Sequence, residues 1–326
     1  MKKPLFLFVV LTAIAVDLYA QGMTATLESG DKLNAYYGID AFKEAYEAAQ
    51  DGDRIALSAG TYNVPSDNIT KSISITGVGA YEESANTAFK SLTVSGTDIR
   101  IEGVKFTDAL NVSGSRNLIV TRCWVERLAS SNNYYNILFD QTVIKDVDAL
   151  DRAESFTFKN STIYKFSRMN DKSKMGYITN CVIYWWYYYG YGYNQPYAIY
   201  RNNLIGHNPY NENTSYAKAS APSEFYNNVT FSINSTYPSL AVVFEANCIN
   251  EDNQVGLYSE LFGGEESYPA YPKNAPNGDD GTPVGPLGGT GFSPYPAVPR
   301  IVSRTIDGST DDEGKINVRI EVKAEK

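Results

Sequence analysis

The chain of 326 residues carries a formal net charge of −9, with 37 acidic against 28 basic side chains. This acidic balance argues against polyanionic partners, so we expect neither nucleic-acid binding nor attraction to an anionic membrane surface. Tyrosine is unusually abundant with 26 residues, whereas there is one histidine and there are three cysteines, enough for at most one internal disulfide.

Residues 1–20 have the features of an export signal. Lys2 and Lys3 precede an apolar stretch, and the letters LYA before Gln21 suit a signal peptidase. The stretch is short for a permanent membrane span and contains Asp17. We therefore expect residues 1–20 to be cleaved and the protein to be exported to the periplasm, the cell surface or the medium, with no segment left inserted in a membrane.

A helix is predicted next, starting after Asp40, which can cap it. Its apolar face combines Phe42 and Tyr46 with two alanines, and Gly52 follows its expected end. An element of this kind can close the open end of the repeats that follow, where apolar side chains and strand edges would otherwise meet water.

One pattern returns at a nearly fixed interval between Ile99 and Ile205. If the fifth residue of each copy is taken as its reference position, the steps are 19, 19, 19, 20 and 22 residues, and looser copies follow after 25 and 20. A period in this range is typical of a solenoid. The reference positions are Gly103, Arg122, Gln141, Asn160, Asn180, Asn202, Asn227 and Asn247.

Apolar residues alternate before each reference position, which is the periodicity of a strand and not of a helix. We therefore predict a right-handed parallel β-helix, with one coil per repeat and coils about 4.8 Å apart. The asparagines at the reference positions are expected to stack at a turn, where they bond to one another and to the backbone and tolerate its left-handed conformation. Cys123, Cys181 and Cys248 each come directly after a reference position. Successive cysteines are three coils apart, which is too far for a disulfide, so we predict three free and mostly buried thiols.

The segments DGDRIALSAGTYNV and KSISITGVGA, followed by coils containing NSTI and NCVI, give the chain a family resemblance. It resembles the pectate-lyase-like right-handed β-helix proteins, and most of all the secreted members found in Bacteroidetes. The resemblance covers roughly residues 38–250, and its motifs are specific for the fold and weak for activity.

The composition changes after the repeats. We predict a β-helix over residues 38–262, a connecting segment rich in glycine and proline over 263–300, and a two-stranded β-ribbon over 301–326. Segments with so much glycine and proline are commonly linkers, but the aromatic residues of this one indicate that part of it lies along the flank of the β-helix. The fold class is thus all-β, with an N-terminal capping helix and a short C-terminal ribbon.

A polar column runs five residues after the reference positions, between apolar columns at three and six residues after them. In a β-helix its members lie side by side about 5 Å apart and face solvent. One interpretation is a ladder of surface ion pairs, each worth less than ~1 kcal/mol, and the other is a strip that binds sugars. The column consists of Asp108, Arg127, Asp146, Lys165, Trp185 and His207.

The resemblance implies an elimination reaction on a uronic-acid polysaccharide, in which a base removes a proton next to the carboxylate and cations stabilise the enediolate. Lys165 or His207 would accept the proton, Arg127 would pair with the substrate carboxylate, and Asp146 would help to bind it. Relatives often use calcium, and the acidic run from Asp140 to Glu154 offers ligands for it, although its spacing matches no known loop and a solvated turn is the alternative. No other cofactor is predicted.

The segment from Tyr184 to Tyr197 is the most unusual local feature, because nine of its fourteen residues are aromatic. Strand alternation sends adjacent side chains to opposite faces, so core filling cannot account for all of them. The glycine- and proline-rich segment could cover the outward rings, a protein partner could bind them, or they could stack on sugars. In the last case Trp185, Tyr187, Tyr189 and Tyr191 bind the polysaccharide.

These observations together predict an exported, monomeric β-helix protein that binds an acidic extracellular polysaccharide. Whether it is an enzyme stays open, and if it is one, a polysaccharide lyase is the preferred class. The competing hypothesis is a non-catalytic surface protein, either a glycan-capture module or an adhesion scaffold.

Overall fold

The protein is a right-handed parallel β-helix. The computed structural model describes residues 22–82, 85–148, 150–167, 176–185, 196–207, 218–219, 223–233, 242–244, 248–263, 271–296, 300–306, 315 and 318–323. Its helices are α1 (Ala41–Ala48) and α2 (Tyr258–Phe262), and a 3-10 turn spans Leu150–Arg152. Its strands are β1 (Thr24–Ser29), β2 (Lys32–Tyr37), β3 (Arg54–Leu57), β4 (Gly60–Tyr62), β5 (Ser74–Thr76), β6 (Thr87–Thr93), β7 (Arg100–Glu102), β8 (Val104–Asn111), β9 (Ile119–Thr121), β10 (Trp124–Ala129), β11 (Ile137–Asp140), β12 (Val143–Asp148), β13 (Phe156–Lys159), β14 (Thr162–Phe166), β15 (Gly176–Thr179), β16 (Val182–Trp185), β17 (Ala198–Arg201), β18 (Leu204–His207), β19 (Lys218–Ala219), β20 (Glu224–Tyr226), β21 (Val229–Ser232), β22 (Val243–Phe244), β23 (Ile249–Glu251), β24 (Gln254–Val255), β25 (Arg300–Ile306) and β26 (Val318–Lys323).

Two long sheets form the walls of the β-helix. The first sheet has 12 strands in the order β2-β1-β3-β5-β7-β9-β11-β13-β15-β17-β20-β23, and the second has 10 in the order β24-β21-β18-β16-β14-β12-β10-β8-β6-β4. Neighbouring coils pair in parallel in both sheets, whereas β1 pairs antiparallel with β2 and with β3. Isolated parallel bridges such as Thr97–Arg116 and Arg116–Tyr135 join the coils on the third side.

The chain turns from the first sheet to the second at the reference positions. From Gly103 to Asn227 all of them have φ between 45° and 66°, so the predicted left-handed turn is confirmed. The last predicted copy was wrong, because Tyr226 pairs with Glu251 and the next left-handed residue is Asp252, with φ 53°. Asn247 itself lies outside the described residues.

Two apolar columns fill the interior. The column two residues before the reference positions is fully buried and includes stacked rings, with centroids 5.3 Å apart for Phe139 and Phe158 and 4.7 Å for Tyr200 and Phe225. The column three residues after the reference positions is buried as well, from Phe106 to Ile205. Both predicted columns are therefore confirmed, and each ring contacts its counterpart in the next coil as strand spacing requires.

The amide ladder lies one residue later than we predicted. Asn228 accepts hydrogen bonds from the backbone N–H and the Nδ2 of Asn203, at 3.0 and 2.9 Å. Its own Nδ2 donates to the carbonyl of Tyr200 at 3.0 Å and to Oδ1 of Asn253 at 2.8 Å. In the last described coils, stacked amides thus satisfy the interior of the turn, while Asn160, Asn180 and Asn202 at the reference positions bond to a later segment of the chain.

The three cysteines are free, as predicted. Cys123 and Cys181 lie in the ladder column, and burial raises the pKa of each thiol to about 12. Cys248 was placed in this column wrongly, because the strand register puts Asn253 there. Cys248 is half-buried.

This difference predicts how the thiols react. In the native protein at pH 8, a thiol reagent should modify Cys248 and leave Cys123 and Cys181 intact, since the thiolate is the nucleophile and their pKa of about 12 leaves almost none. Three thiols should react in denaturant. Mass spectrometry of tryptic peptides after labelling would test this, and rapid labelling of Cys123 in the folded protein would contradict it.

Helix α1 covers the N-terminal end of the core, as predicted. Phe42 is fully buried and its ring centroid lies 4.7 Å from that of Phe89. The helix ends at Ala48, earlier than Gly52 indicated, and the carboxylate of Asp40 accepts a hydrogen bond from Asn63 at 2.8 Å and makes no side-chain cap. The hairpin β1–β2, which extends the first sheet at this end, was not predicted.

The segment 271–296, here called the C-terminal strap, lies along the corner between the two sheets. Amides at the reference positions bind it: Asn202 donates to Asp279 at 2.8 Å and Asn160 donates to the carbonyl of Pro286 at 3.1 Å. Further along, the N–H of Ser293 donates to the side chain of Gln141 at 3.1 Å. The prediction that part of the glycine- and proline-rich segment lies on the flank is confirmed.

The carboxylate of Asp280 shows how the strap is held. Burial raises its pKa, but hydrogen bonds from the N–H and hydroxyl of Thr282 and from the amides of Asn180 and Asn202 outweigh burial, so the pKa lies below its ordinary value. The charged form is therefore the one that the strap stabilises.

Strands β25 and β26 form the predicted C-terminal ribbon, paired antiparallel as a separate two-stranded sheet. The predicted leader, residues 1–20, lies outside the described residues. Among the residues that are described, no helix has the length and apolar character needed to span a bilayer.

Candidate functional site

Four of the predicted site residues lie together on the solvent-facing side of the second sheet. Strand register places Arg127 opposite Asp146, Asp146 opposite Lys165, and Lys165 opposite Trp185. Nζ of Lys165 lies 3.0 Å from Oδ2 of Asp146, and the Lys165 side chain is 41% exposed. We call this row the outer face, together with its neighbours Tyr164, Trp124, Glu126, Lys105 and Lys145.

The ion-pair ladder that we considered is only partly formed. A register shift between Val125 and Leu128, where β10 pairs with β8, moves Asp108 out of line, and its carboxylate accepts a hydrogen bond from Ser91 at 3.0 Å. Arg127 is exposed, and in the part of the chain that the structure describes its guanidinium forms no salt bridge. One cation of the row is thus paired and the other is available to a ligand.

His207 does not face solvent, so its predicted place in an exposed strip is wrong. It is 5% exposed, in a strand whose four residues are all buried. The following strand of the second sheet, β21, is buried along its whole length too, and helix α2 packs on it through Phe262 and Phe231, with centroids 5.4 Å apart. A residue in this covered part of the sheet cannot reach a polysaccharide in solution.

Trp185 forms an aromatic pair with Tyr164 of the neighbouring coil. Their centroids are 5.3 Å apart at an interplanar angle of 28°, and both side chains are half-buried. Tyr184, which precedes Trp185, turns instead towards Phe262 of α2, at 5.9 Å. Tyr187, Tyr189 and Tyr191, predicted to bind the glycan, lie outside the described residues.

Trp124 is a part of the outer face that the sequence analysis missed. Its ring has the ammonium groups of Lys105 and Lys145 5.7 and 5.4 Å from the centroid, within cation–π range. Its Nε1 donates to Glu126 at 2.9 Å, and Glu126 also pairs with Lys145 at 3.1 Å. The alternation of strand β10 would have placed Trp124 and Glu126 on one face, had columns other than the fifth been compared.

The acidic run does not form one cluster. Asp140 ends strand β11 of the first sheet, whereas Asp146 and Asp148 lie in β12 of the second. Burial raises the pKa of Asp140, against the opposing effect of Lys159 and Arg122. Among the described residues no three His, Cys, Asp or Glu side chains are placed to hold a metal ion.

The chemistry of the outer face suits binding better than proton transfer. A base has to be neutral before it can accept a proton, whereas Lys165 forms an ion pair with Asp146. The same lysine, with the exposed Arg127 beside it, can offer positive charge to a carboxylate. A stacked aromatic pair next to these cations adds a flat apolar surface.

The chain matches no protein-family model, no curated protein and no solved structure. The parallel β-helix is therefore the level at which the chain is classified, and its function has to be inferred from the outer face itself.

Proposed function

We propose that the protein is an exported, polysaccharide-binding protein whose outer face holds an acidic extracellular glycan. The observation that carries the proposal is the half-exposed pair of Tyr164 and Trp185, directly beside the row of Arg127, Asp146 and Lys165.

The physical basis is the match between this row and a uronate chain. Flat aromatic rings stack on the C–H faces of sugars, and a tyrosine hydroxyl can bond to sugar hydroxyls. Guanidinium and ammonium groups pair with carboxylates, and the exposed side chain of Arg127 can reach a carboxylate of the glycan. Because the coils repeat about every 4.8 Å, the cations and rings follow one another along the axis, as the residues of an extended glycan do.

Export rests on the leader-like residues 1–20, and membership of the pectate-lyase-like proteins rests on the sequence resemblance stated above. Both belong to the proposal, as does the monomeric state. Binding is preferred over cleavage because Lys165 is ion-paired. Appearance of unsaturated product absorbance on uronate polysaccharides, lost in Lys165→Ala, would show that the protein is a lyase instead.

Replacing Trp185 by alanine is expected to weaken binding of an oligogalacturonate about tenfold or more, because one ring of the stacked pair is lost. Isothermal titration calorimetry would measure the affinity. The matched control is Tyr177→Ala, since Tyr177 is 53% exposed on the first sheet, away from the outer face. Equal affinities of the Trp185 variant and the wild type would contradict the proposal, and absence of glycan binding by the wild type would favour an adhesion scaffold.

A further inference from the structure

The first sheet has a cleft on its solvent-facing side, near the N-terminal end of the β-helix. Its volume is about 490 Å³, within the range of roughly 300–1,000 Å³ that small-molecule sites occupy. Strands β1, β3, β5 and β7 form its floor, so it lies on a different sheet from the residues of the proposed function.

Strand register arranges the floor of the cleft as rows of side chains. Glu28 lies opposite Arg54, Arg54 opposite Ser74, and Ser74 opposite Arg100. The alternating residues of β3, β5 and β7, including Ile75, are buried in the core, so this row faces outwards. At two strand spacings, the backbones of Arg54 and Arg100 are about 10 Å apart, with the small Ser74 between them.

The cleft is lined by two arginines, Arg54 and Arg100, and by two glutamates, Glu28 and Glu102. Glu102 lines it beside Arg100 but pairs with Arg122, at 2.7 Å. Arg54 and Arg100 are both exposed, and within the described ranges neither side chain forms a salt bridge or a hydrogen bond. One carboxylate of the cleft is thus held by a third arginine, and the other, Glu28, lies opposite Arg54 but forms no salt bridge within the described residues, so both guanidinium groups are available to a ligand.

We propose that this cleft is a second binding site, in which Arg54 and Arg100 grip a carboxylate or sulfate group carried by an acidic saccharide. The gap over Ser74 gives such a group access to both guanidinium forks, which match planar and tetrahedral oxyanions through paired N–H donors. The hydroxyls of Ser74 and Thr76, both half-buried in the floor, can bond to sugar hydroxyls. The cleft is open and also has apolar lining residues, such as Ala56 and Val78, which can contact the C–H faces of a saccharide while the polar groups bind its hydroxyls and charge.

The saccharide nature of the ligand rests on the proposed function, whereas the anion-binding role of the two arginines does not. The test is calorimetry of the full chain with three probes: trigalacturonate for the carboxylate, a sulfated galactan oligosaccharide for the sulfate, and galactotriose as the uncharged control. The variant is Arg54→Gln with Arg100→Gln, and the matched control is Arg152→Gln, an exposed arginine of the 3-10 turn.

The wild type is expected to bind one or both anionic probes with a component that the double variant loses, about tenfold in affinity for each arginine. Arg152→Gln should bind like the wild type, and galactotriose should bind far more weakly. Trp185→Ala should keep this component. If Trp185→Ala binds the anionic probes as tightly as the wild type does, the result supports the cleft as a binding site and contradicts the proposal that the outer face binds the glycan. The cleft is wrong if neither anionic probe binds, if galactotriose binds as tightly, if Arg152→Gln loses as much affinity, or if Trp185→Ala alone removes all binding.

Discussion

Asn228→Ala is expected to lower the free energy of unfolding by about 4 kcal/mol, because it removes the centre of the interior amide ladder. The Asn228 side chain is fully buried and bonds to Asn203, Tyr200 and Asn253. Alanine leaves the N–H of Asn203 and the carbonyl of Tyr200 without these partners, and each buried unpaired group costs about 1–3 kcal/mol. Urea unfolding followed by circular dichroism would measure the loss.

The matched control is the preceding residue, Asn227. Its backbone is left-handed, with φ 51°, and its side chain forms no hydrogen bond within the described residues. Asn227→Ala should therefore cost only the strain of a left-handed alanine, about 1–2 kcal/mol. Amide hydrogen exchange gives a second readout, since the Asn203 N–H should lose protection in Asn228→Ala alone. A similar cost for both variants would refute the ladder as a source of stability.

Asn160→Ala is expected to cost about 3 kcal/mol and to release the C-terminal strap. The side chain is fully buried, donates to the carbonyls of Pro286 and Gly288, and accepts from the hydroxyl of Thr290 at 2.9 Å. About 1 kcal/mol of the total is the strain of a left-handed alanine, the lower end of the range given for Asn227, and the rest is lost hydrogen bonding. Urea unfolding measures the sum, and limited proteolysis detects release of the strap.

Asn160→Gly separates the two contributions. Glycine adopts φ 45° without strain, so this variant should lose only the contacts with the strap, about 2 kcal/mol. Both variants should be cut more rapidly within residues 271–296 than the wild type or Asn227→Ala. If the strap stays resistant to protease in both, the hydrogen bonds of Asn160 do not hold it.

Most features of the fold that could be predicted follow from the sequence repeat. Columns of apolar residues such as Val120, Phe139 and Phe158 repeat so regularly that coil, strand direction and core followed from them. The ladder was assigned one residue too early because its column mixes residue types, for example Cys123, Thr142 and Asn203, whereas the asparagines beside it are conspicuous in the sequence.

The candidate sites could be predicted only in part. The row from Arg127 to Trp185 followed from counting, since pairing in β10, β12, β14 and β16 keeps the register. The predicted places of Asp108 and His207 in the row were wrong. Asp108 is displaced by a register shift, and His207 lies where α2 covers the sheet, and both effects depend on tertiary contacts that the repeat does not encode. The cleft was not foreseen because the hairpin β1–β2 that borders it lies outside the repeat and pairs antiparallel.

The C-terminal strap also changes how the protein is expected to come apart. A stack held only by contacts between adjacent layers can fray from an end, one layer at a time. Here a single segment is fastened to four successive layers, at Asn202, Asn180, Asn160 and Gln141. These four coils cannot separate unless the strap also detaches from them. The middle of the molecule is therefore expected to unfold cooperatively, as a single unit.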